Sequence, residues 1–211
     1  YERASESSAT EVVIATDDRR IADAAAKFSA ENCMTSQEHK SGTDRLAEVA
    51  RLKNWSDELI IVNVQGDEPL MPAELIDQCA HLLSDERADV GTLASRILSQ
   101  EDFENPNIVK VLIDNDGFAL YFSRAAIPFQ SRQSSPELSR DSAFHHHGIY
   151  AYRYSVLKQI VSARRPTLEM TEDLEQLRVL CIGMQIKVGI PVIRPGPGVD
   201  TEEDLAIAEQ L

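Results

Sequence analysis

Asp67 sits in Gln65-Gly-Asp67-Glu-Pro69, directly after the apolar run Glu58-Leu-Ile-Ile-Val-Asn-Val64. A carboxylate there is a hard oxygen donor. It suits a magnesium ion, which takes one or two protein carboxylates and completes its shell with water and phosphate oxygens. Open α/β sheets bind ligands beyond the carboxyl ends of their strands, and Gly66 permits close approach of the backbone. The pattern points to a metal–nucleotide site. It equally suits a cap for the helix after Pro69, and spacing alone leaves both open. Asp200, in Gly198-Val-Asp-Thr-Glu-Glu-Asp-Leu205, is similarly double. Acids are favoured at a helix N-terminus by the helix dipole, and a capping residue can also hold a metal. Asp17-Asp18 reads as a helix start with no catalytic role.

Cations to match are few. Arg124 follows the strand-like Phe118–Phe122 and could face the same edge as Asp67, where a guanidinium would grip a carboxylate or phosphate in two-point fashion. A surface ion pair is the plainer reading. His145, His146 and His147 must alternate faces in an extended chain, so they make a poor metal set. One of them could face a cleft. On a helix expected over Leu168–Ile182, Glu172, Glu175 and Gln176 share a face at i, i+3, i+4 spacing. Without other context that is a solvated face.

Placing these groups takes several elements. A strand at Glu11–Thr16, a helix over Arg19–Phe28, a short strand near Cys33 and a helix opened by Ser41-Gly-Thr-Asp44 lead to the strand before Asp67. A helix over Pro72–Leu83 follows. This alternation predicts an α/β fold with a doubly wound, mainly parallel sheet. From about Ile108 the rhythm becomes a hairpin, Val109–Ile113 and Phe118–Phe122 around Asp114-Asn-Asp-Gly117. Gln130–Asp141 is polar and reads as a mobile loop, Gly148–Tyr152 as a strand. The Leu168–Ile182 helix should end at Gly183. A strand over Gln185–Val192 and a terminal helix capped by Asp200 or Thr201 close the chain.

With 211 residues, the chain is read as one domain, 1–211, carrying a hairpin-bearing arm at about 108–152. A net charge of −14, from 21 basic and 35 acidic residues, opposes binding to nucleic acid or anionic lipid. No apolar run approaches the roughly 18 residues of a membrane span. Three dispersed cysteines, Cys33, Cys79 and Cys181, predict reduced packing residues and a cytoplasmic protein.

Taken together and in order, Ser41-Gly-Thr-Asp-Arg45, Val62-Asn-Val-Gln-Gly-Asp-Glu-Pro69, Ala119-Leu-Tyr-Phe-Ser-Arg124, His146-His-Gly-Ile-Tyr150, Leu174-Glu-Gln-Leu-Arg178 and Gly198-Val-Asp-Thr201 resemble the CMP-Kdo synthetase (3-deoxy-manno-octulosonate cytidylyltransferase) family. CMP-sialic acid synthetases share the fold and chemistry, but the Tyr-Phe-Ser-Arg and Leu-Glu-Gln-Leu-Arg stretches favour the Kdo branch. The resemblance implies a nucleotidyltransferase in which the 2-hydroxyl of Kdo attacks the α-phosphate of CTP, for lipopolysaccharide biosynthesis. It further implies Asp67 and Asp200 as magnesium ligands, and Gln65, Arg124, His146, Tyr150, Glu175 and Gln176 against the sugar acid. Ser41 and Arg45 would lie near the nucleotide. The arm would build a homodimer.

One departure stands out. The family opens with a strand and an Ile-Pro-Ala-Arg loop that leads to Arg-Leu-Pro-Gly-Lys around the triphosphate, whereas this chain opens at Tyr1-Glu-Arg-Ala. Roughly thirty residues of the usual plan are expected upstream. A non-catalytic, truncated chain is the alternative from a different functional class.

Overall fold

The computed structural model describes residues 1–39, 41–129, 131, 140–196, 198–199 and 201–208, without the side chains of Glu203, Asp204 and Ile207. The strands are β1 (Ile14–Thr16), β2 (Asn32–Met34), β3 (Ile60–Asn63), β4 (Val90–Arg96), β5 (Lys110–Ile113), β6 (Ala119–Ser123), β7 (Ala143–Arg153) and β8 (Ile186–Gly189). The helices are α1 (Glu2–Ser5), α2 (Arg19–Lys27), α3 (Gly42–Leu52), α4 (Ala73–His81), α5 (Gln100–Glu104), α6 (Tyr154–Ser162), α7 (Thr167–Glu172), α8 (Gln176–Cys181) and α9 (Glu202–Ala208).

The helix starts follow side-chain chemistry. The Asp18 carboxylate accepts from Arg20 N–H to cap α2, and Ser41 Oγ accepts from Asp44 N–H to cap α3, each satisfying a donor the helix leaves free. Asp67 is not the cap expected as one option: α4 starts later, with Pro72 at its N-cap.

Helices cover both faces of a six-stranded sheet in the order β6-β5-β7-β4-β8, with β3 also on β7. On one face α4 packs Leu75, Ile76 and Cys79 against Leu93, Ile149 and Ala151. On the other, α3, α6 and α8 pack Ala50, Leu157 and Leu177 against Val90, Ala94 and Tyr152. The two-residue period along β7 sends Ala151 to the first layer and Tyr152 to the second.

The α/β class is as expected, but the pairing is mixed. β3, β4 and β8 share one direction, and β7 runs against β3, β4 and β5. β7 enters from a hairpin segment and not through a crossover helix, so it can lie antiparallel. β1 and β2 form a separate parallel pair. The β5–β6 hairpin is present, with Gly117 at positive φ in its turn. It joins the main sheet through the pairing of β5 with β7. Most of the expected loop, at 130 and 132–139, lies outside the described residues.

The helix expected over Leu168–Ile182 is two, α7 and α8, broken at Asp173, whose φ is 53°. Asp is among the few residues that tolerate the left-handed region. Gly183, at φ 83°, closes α8 as expected. Three elements carried no sequence signal that was read, β4, α5 and α6. Among the described residues no helix is long and apolar enough to cross a membrane, and Cys33, Cys79 and Cys181 are free.

The histidine run lies on β7 with faces alternating. His145 and His147 lie together on one side, ring centroids 4.9 Å apart and tilted by 49°, and His146 faces the other. Burial holds all three below the ordinary imidazole value: His146 falls to about 3 and His147 to about 4, where neighbouring histidines add to the effect, while at His145 the charge of Asp102 opposes it. They are neutral in the fold, whereas the unfolded chain takes up protons below about 6.5. Their stability contribution is therefore complete above that pH and is lost as pH falls toward about 4 and then about 3. We expect urea midpoints to drop from pH 7.5 to pH 5, with a limiting slope of about 1.4 kcal/mol per pH unit for each histidine. Carboxylates with lowered values act only below that window. An unchanged midpoint across it would contradict neutral burial.

Candidate active site

The site arises where β7 changes partners. β4 occupies one edge of β7. The other edge is divided: Tyr150–Arg153 pair with β3, and Ala143–His145 pair with β5. Between them, past one bond from His146 N–H to the Val109 carbonyl at 2.9 Å, no strand among the described residues pairs with the edge. A cavity of about 520 Å³ opens at this notch.

β3 delivers Asn63 and, just beyond its carboxyl end, Gln65 and Asp67 to the cavity. β7 supplies His146, Gly148, Tyr150 and Tyr152, and Arg124 follows the end of β6. The α7–α8 bend contributes Asp173, Leu174, Glu175 and Gln176. Seven of the residues singled out from sequence thus border one space: Gln65, Asp67, Arg124, His146, Tyr150, Glu175 and Gln176. Glu172 does not share their helical face. It turns away, and its carboxylate accepts from Ser123 Oγ at 2.6 Å and from Arg124 N–H at 2.9 Å.

Ser41 and Arg45 do not line this cavity. The Ser41 hydroxyl is used as the α3 cap. Arg45 donates to Asp17 Oδ2 at 2.8 Å and to Thr35 Oγ1, tying α3 to the ends of β1 and β2. Asp200 lies outside the described residues. Val199, just before it in sequence, donates its N–H to the Asp67 carbonyl at 2.7 Å. Gly196 allows that approach, since a Cβ there would stand 2.5 Å from Leu70 Cβ.

The bend has a cause. Arg178 donates to Glu169 through Nε at 2.7 Å and Nη2 at 2.5 Å, and both side chains are buried. In an unbroken helix nine residues span about 13 Å along the axis, too far for that pair. Turning at Asp173 lets them meet and puts Gln176, buried, at the cavity. Glu175 accepts from the Thr43 hydroxyl at 2.6 Å, which fixes its carboxylate against α3.

Protonation states follow from burial. The Thr92 hydroxyl gives its one proton to the Ile149 carbonyl at 2.7 Å, so His146 Nε2, 3.1 Å from the same oxygen, is the donor to it. The single N–H of neutral His146 is thereby used. A second, pH-dependent donor does not arise at His146 near neutrality, because burial holds its value at about 3. Burial raises the Tyr150 and Tyr152 phenols well above their usual range, so both stay O–H groups.

Among the described lining residues Arg124 is the one Lys or Arg, against the carboxylates of Asp67, Asp173 and Glu175. Its Nε donates to the Glu172 carbonyl at 2.9 Å, and its terminal nitrogens make only long contacts, 3.4 Å to the Pro106 and 3.5 Å to the Asp173 carbonyl. An anion in the cavity would meet those terminal nitrogens. Asp67 is exposed, and no described residue donates to its carboxylate. That fits a hard cation completed by phosphate oxygens and water. The described residues contain no group of three potential metal ligands.

Sequence reasoning missed Thr43, Asn63, Thr92, Asn107 and Lys110. Thr43 and Asn63 lay inside stretches already marked. Lys110 gave no usable signal, because a lysine in a strand normally marks a solvated face.

Comparison with known proteins agrees with this geometry. A model of the family described as cytidylyltransferase matches residues 1–186. The 3-deoxy-manno-octulosonate cytidylyltransferase of Vibrio vulnificus (strain CMCP6) is 47% identical over 213 residues, 100% of this chain and 85% of that protein. The protein of that name from Photorhabdus laumondii subsp. laumondii is 49% identical over 212 residues, 100% of this chain and 85% of its own. A solved structure of CMP:2-keto-3-deoxy-manno-octonic acid synthetase complexed with CTP superposes with a TM-score of 0.87 at 36% identity, covering 100% of this chain and 86% of that one. The cavity at the β7 notch therefore sits in a chain that belongs to the cytidylyltransferase family, among the 3-deoxy-manno-octulosonate cytidylyltransferases.

Proposed function

We propose that the protein transfers CMP from CTP to Kdo, giving CMP-Kdo and pyrophosphate for lipopolysaccharide biosynthesis. The observation that carries this reading is the identity of 47% to a relative of that name, over the whole of this chain. The 2-hydroxyl oxygen of Kdo bonds to the α-phosphorus of CTP, the bond from that phosphorus to the bridging oxygen breaks, and the hydroxyl gives up its proton. Such transfers depend on positioning and charge stabilisation more than on covalent help from the protein.

In this scheme Arg124 receives the Kdo carboxylate, because it is the cation among described lining residues that are otherwise acidic or neutral. Gln65, Gln176, Tyr150 and the fixed Glu175 carboxylate meet the sugar hydroxyls. His146 contributes a neutral ring, edge-on to Phe122 at 5.2 Å and beside Tyr150. Asp67 would hold magnesium, with Asp200 as the second ligand implied by the family resemblance. Bound magnesium would screen the triphosphate oxygens and stabilise the leaving pyrophosphate. Ser41 and Arg45 stand by the nucleotide in this reading, Arg45 being shared with Asp17. A homodimer in the cytoplasm fits the free cysteines and the exposure of Leu120 and Phe129, at 61% and 90%.

Pyrophosphate release by the full-length protein with CTP should require Kdo and be much weaker with sialic acid. Preference for sialic acid would move the chain to the neighbouring branch. In the same assay Asp67→Asn should keep the melting temperature and lose most turnover, since an amide keeps the shape but is a poor magnesium ligand. Full turnover at saturating magnesium would remove Asp67 from the metal site. Arg124→Lys keeps the charge and loses the planar fork. It should weaken Kdo binding by about 1.5–3 kcal/mol and leave CTP binding unchanged. Weaker CTP with unchanged Kdo would place Arg124 on the phosphates instead.

A further inference from the structure

Lys110 sits in β5 between Val109 and Val111, and its side chain is completely buried. A buried ammonium is costly unless every proton finds an acceptor. Here all three do. Nζ donates to the carbonyls of Asn105 at 2.8 Å, Ile108 at 2.6 Å and Arg124 at 2.7 Å. Burial lowers its pKa, the charge of Glu172 opposes that, and the charge of Arg124 adds to it.

The acceptors are informative. Asn105 and Ile108 flank the turn that brings Asn107 to the cavity, a segment outside any strand. The third carbonyl belongs to Arg124 itself, beyond the end of β6. The main chain of Arg124 is thus gripped twice, its C=O by the Lys110 ammonium and its N–H by the Glu172 carboxylate. A strand core needs only apolar contact at this position. What the ammonium adds is a fixed relation between the 105–108 turn and Arg124.

Resting on the Kdo reading above, we propose that Lys110 is a positioning residue: its three carbonyl bonds hold Arg124 and the 105–108 turn in the geometry that receives the sugar acid. It touches no substrate and acts through Arg124. Its removal leaves the Asp67 side of the cavity in place, so the effect falls on Kdo and not on CTP. Lys110→Met keeps the length of the side chain and removes every donor. Lys110→Arg keeps a charged donor group in altered geometry and should restore part of the function.

The test measures KM for Kdo and for CTP, and kcat, in the full-length wild type, in Lys110→Met and Lys110→Arg, and in Leu83→Ala. Leu83 is buried in the cluster beneath α4 and does not line the cavity, so its variant controls for general loss of stability. For Lys110→Met we expect a rise in KM for Kdo of about tenfold or more, the scale of a small misplacement of binding groups. KM for CTP should stay within about twofold. Lys110→Arg should lie between Met and wild type, and Leu83→Ala should show no such split. An equal shift in both KM values, an unchanged KM for Kdo, the same split in Leu83→Ala, or failure of both Lys110 variants to fold would each overturn the proposal. A wild type that makes no CMP-Kdo would instead overturn the functional reading beneath it.

Discussion

The buried pair between Glu169 and Arg178 is the constraint on which the site depends. A carboxylate and a guanidinium removed from water must meet or be very costly. Along a straight helix these two could not meet, so the chain turns at Asp173. That turn has three results. It frees the Glu172 carbonyl for Arg124 Nε. It directs the Glu172 carboxylate outward, to the end of β6. It also starts α8 afresh, so that Glu175 and Gln176 open onto the cavity instead of riding a solvated face. One ion pair thereby converts an ordinary amphipathic helix into a wall of a binding site.

The opposite wall depends on a shared strand edge. β7 is long enough to pair with both β3 and β5, but these two do not meet along it. The notch between them is the mouth of the cavity, and the period of two along β7 places His146, Gly148, Tyr150 and Tyr152 on its lining. The same period sends His145 and His147 to the other face. Burial then makes the histidines neutral, which leaves anion recognition to Arg124. In a chain of net charge −14, one Lys or Arg among the described lining residues, held by opposed backbone contacts, is a discriminating arrangement for an anion.

Much of this was legible in the sequence where local chemistry decides. The caps at Asp18 and Ser41, the hairpin at Gly117, the stop at Gly183 and the strand before Asp67 all follow from one or two residues. Alternation also fixed which histidine would differ from its neighbours. The failures were long-range. β4 reads Val-Gly-Thr-Leu-Ala-Ser-Arg, with small and polar residues where a buried strand usually shows bulk. Its Thr92 is satisfied by the carbonyls of β7 that only the fold brings near. The break at Asp173 could not be seen because its cause joins residues nine positions apart. Lys110 was invisible because a lysine in a strand normally marks a solvated face, and the carbonyls that satisfy it, in the 105–108 turn and at Arg124, are gathered only by the fold. The mixed pairing around β7 was not legible for a related reason, since antiparallel insertion is set by a connection and not by strand composition.

The most direct measurement is a crystal structure of the full-length protein with CTP and a Kdo analogue lacking the 2-hydroxyl, which cannot react. The sugar carboxylate should lie on the terminal nitrogens of Arg124, with the ring hydroxyls toward Glu175 and Gln176 and the α-phosphate toward Asp67. A sugar bound away from the Asp173 bend, for instance at the polar surface cleft bordered by Arg3, Glu74 and Asp77, would contradict the assignment of the cavity at the β7 notch.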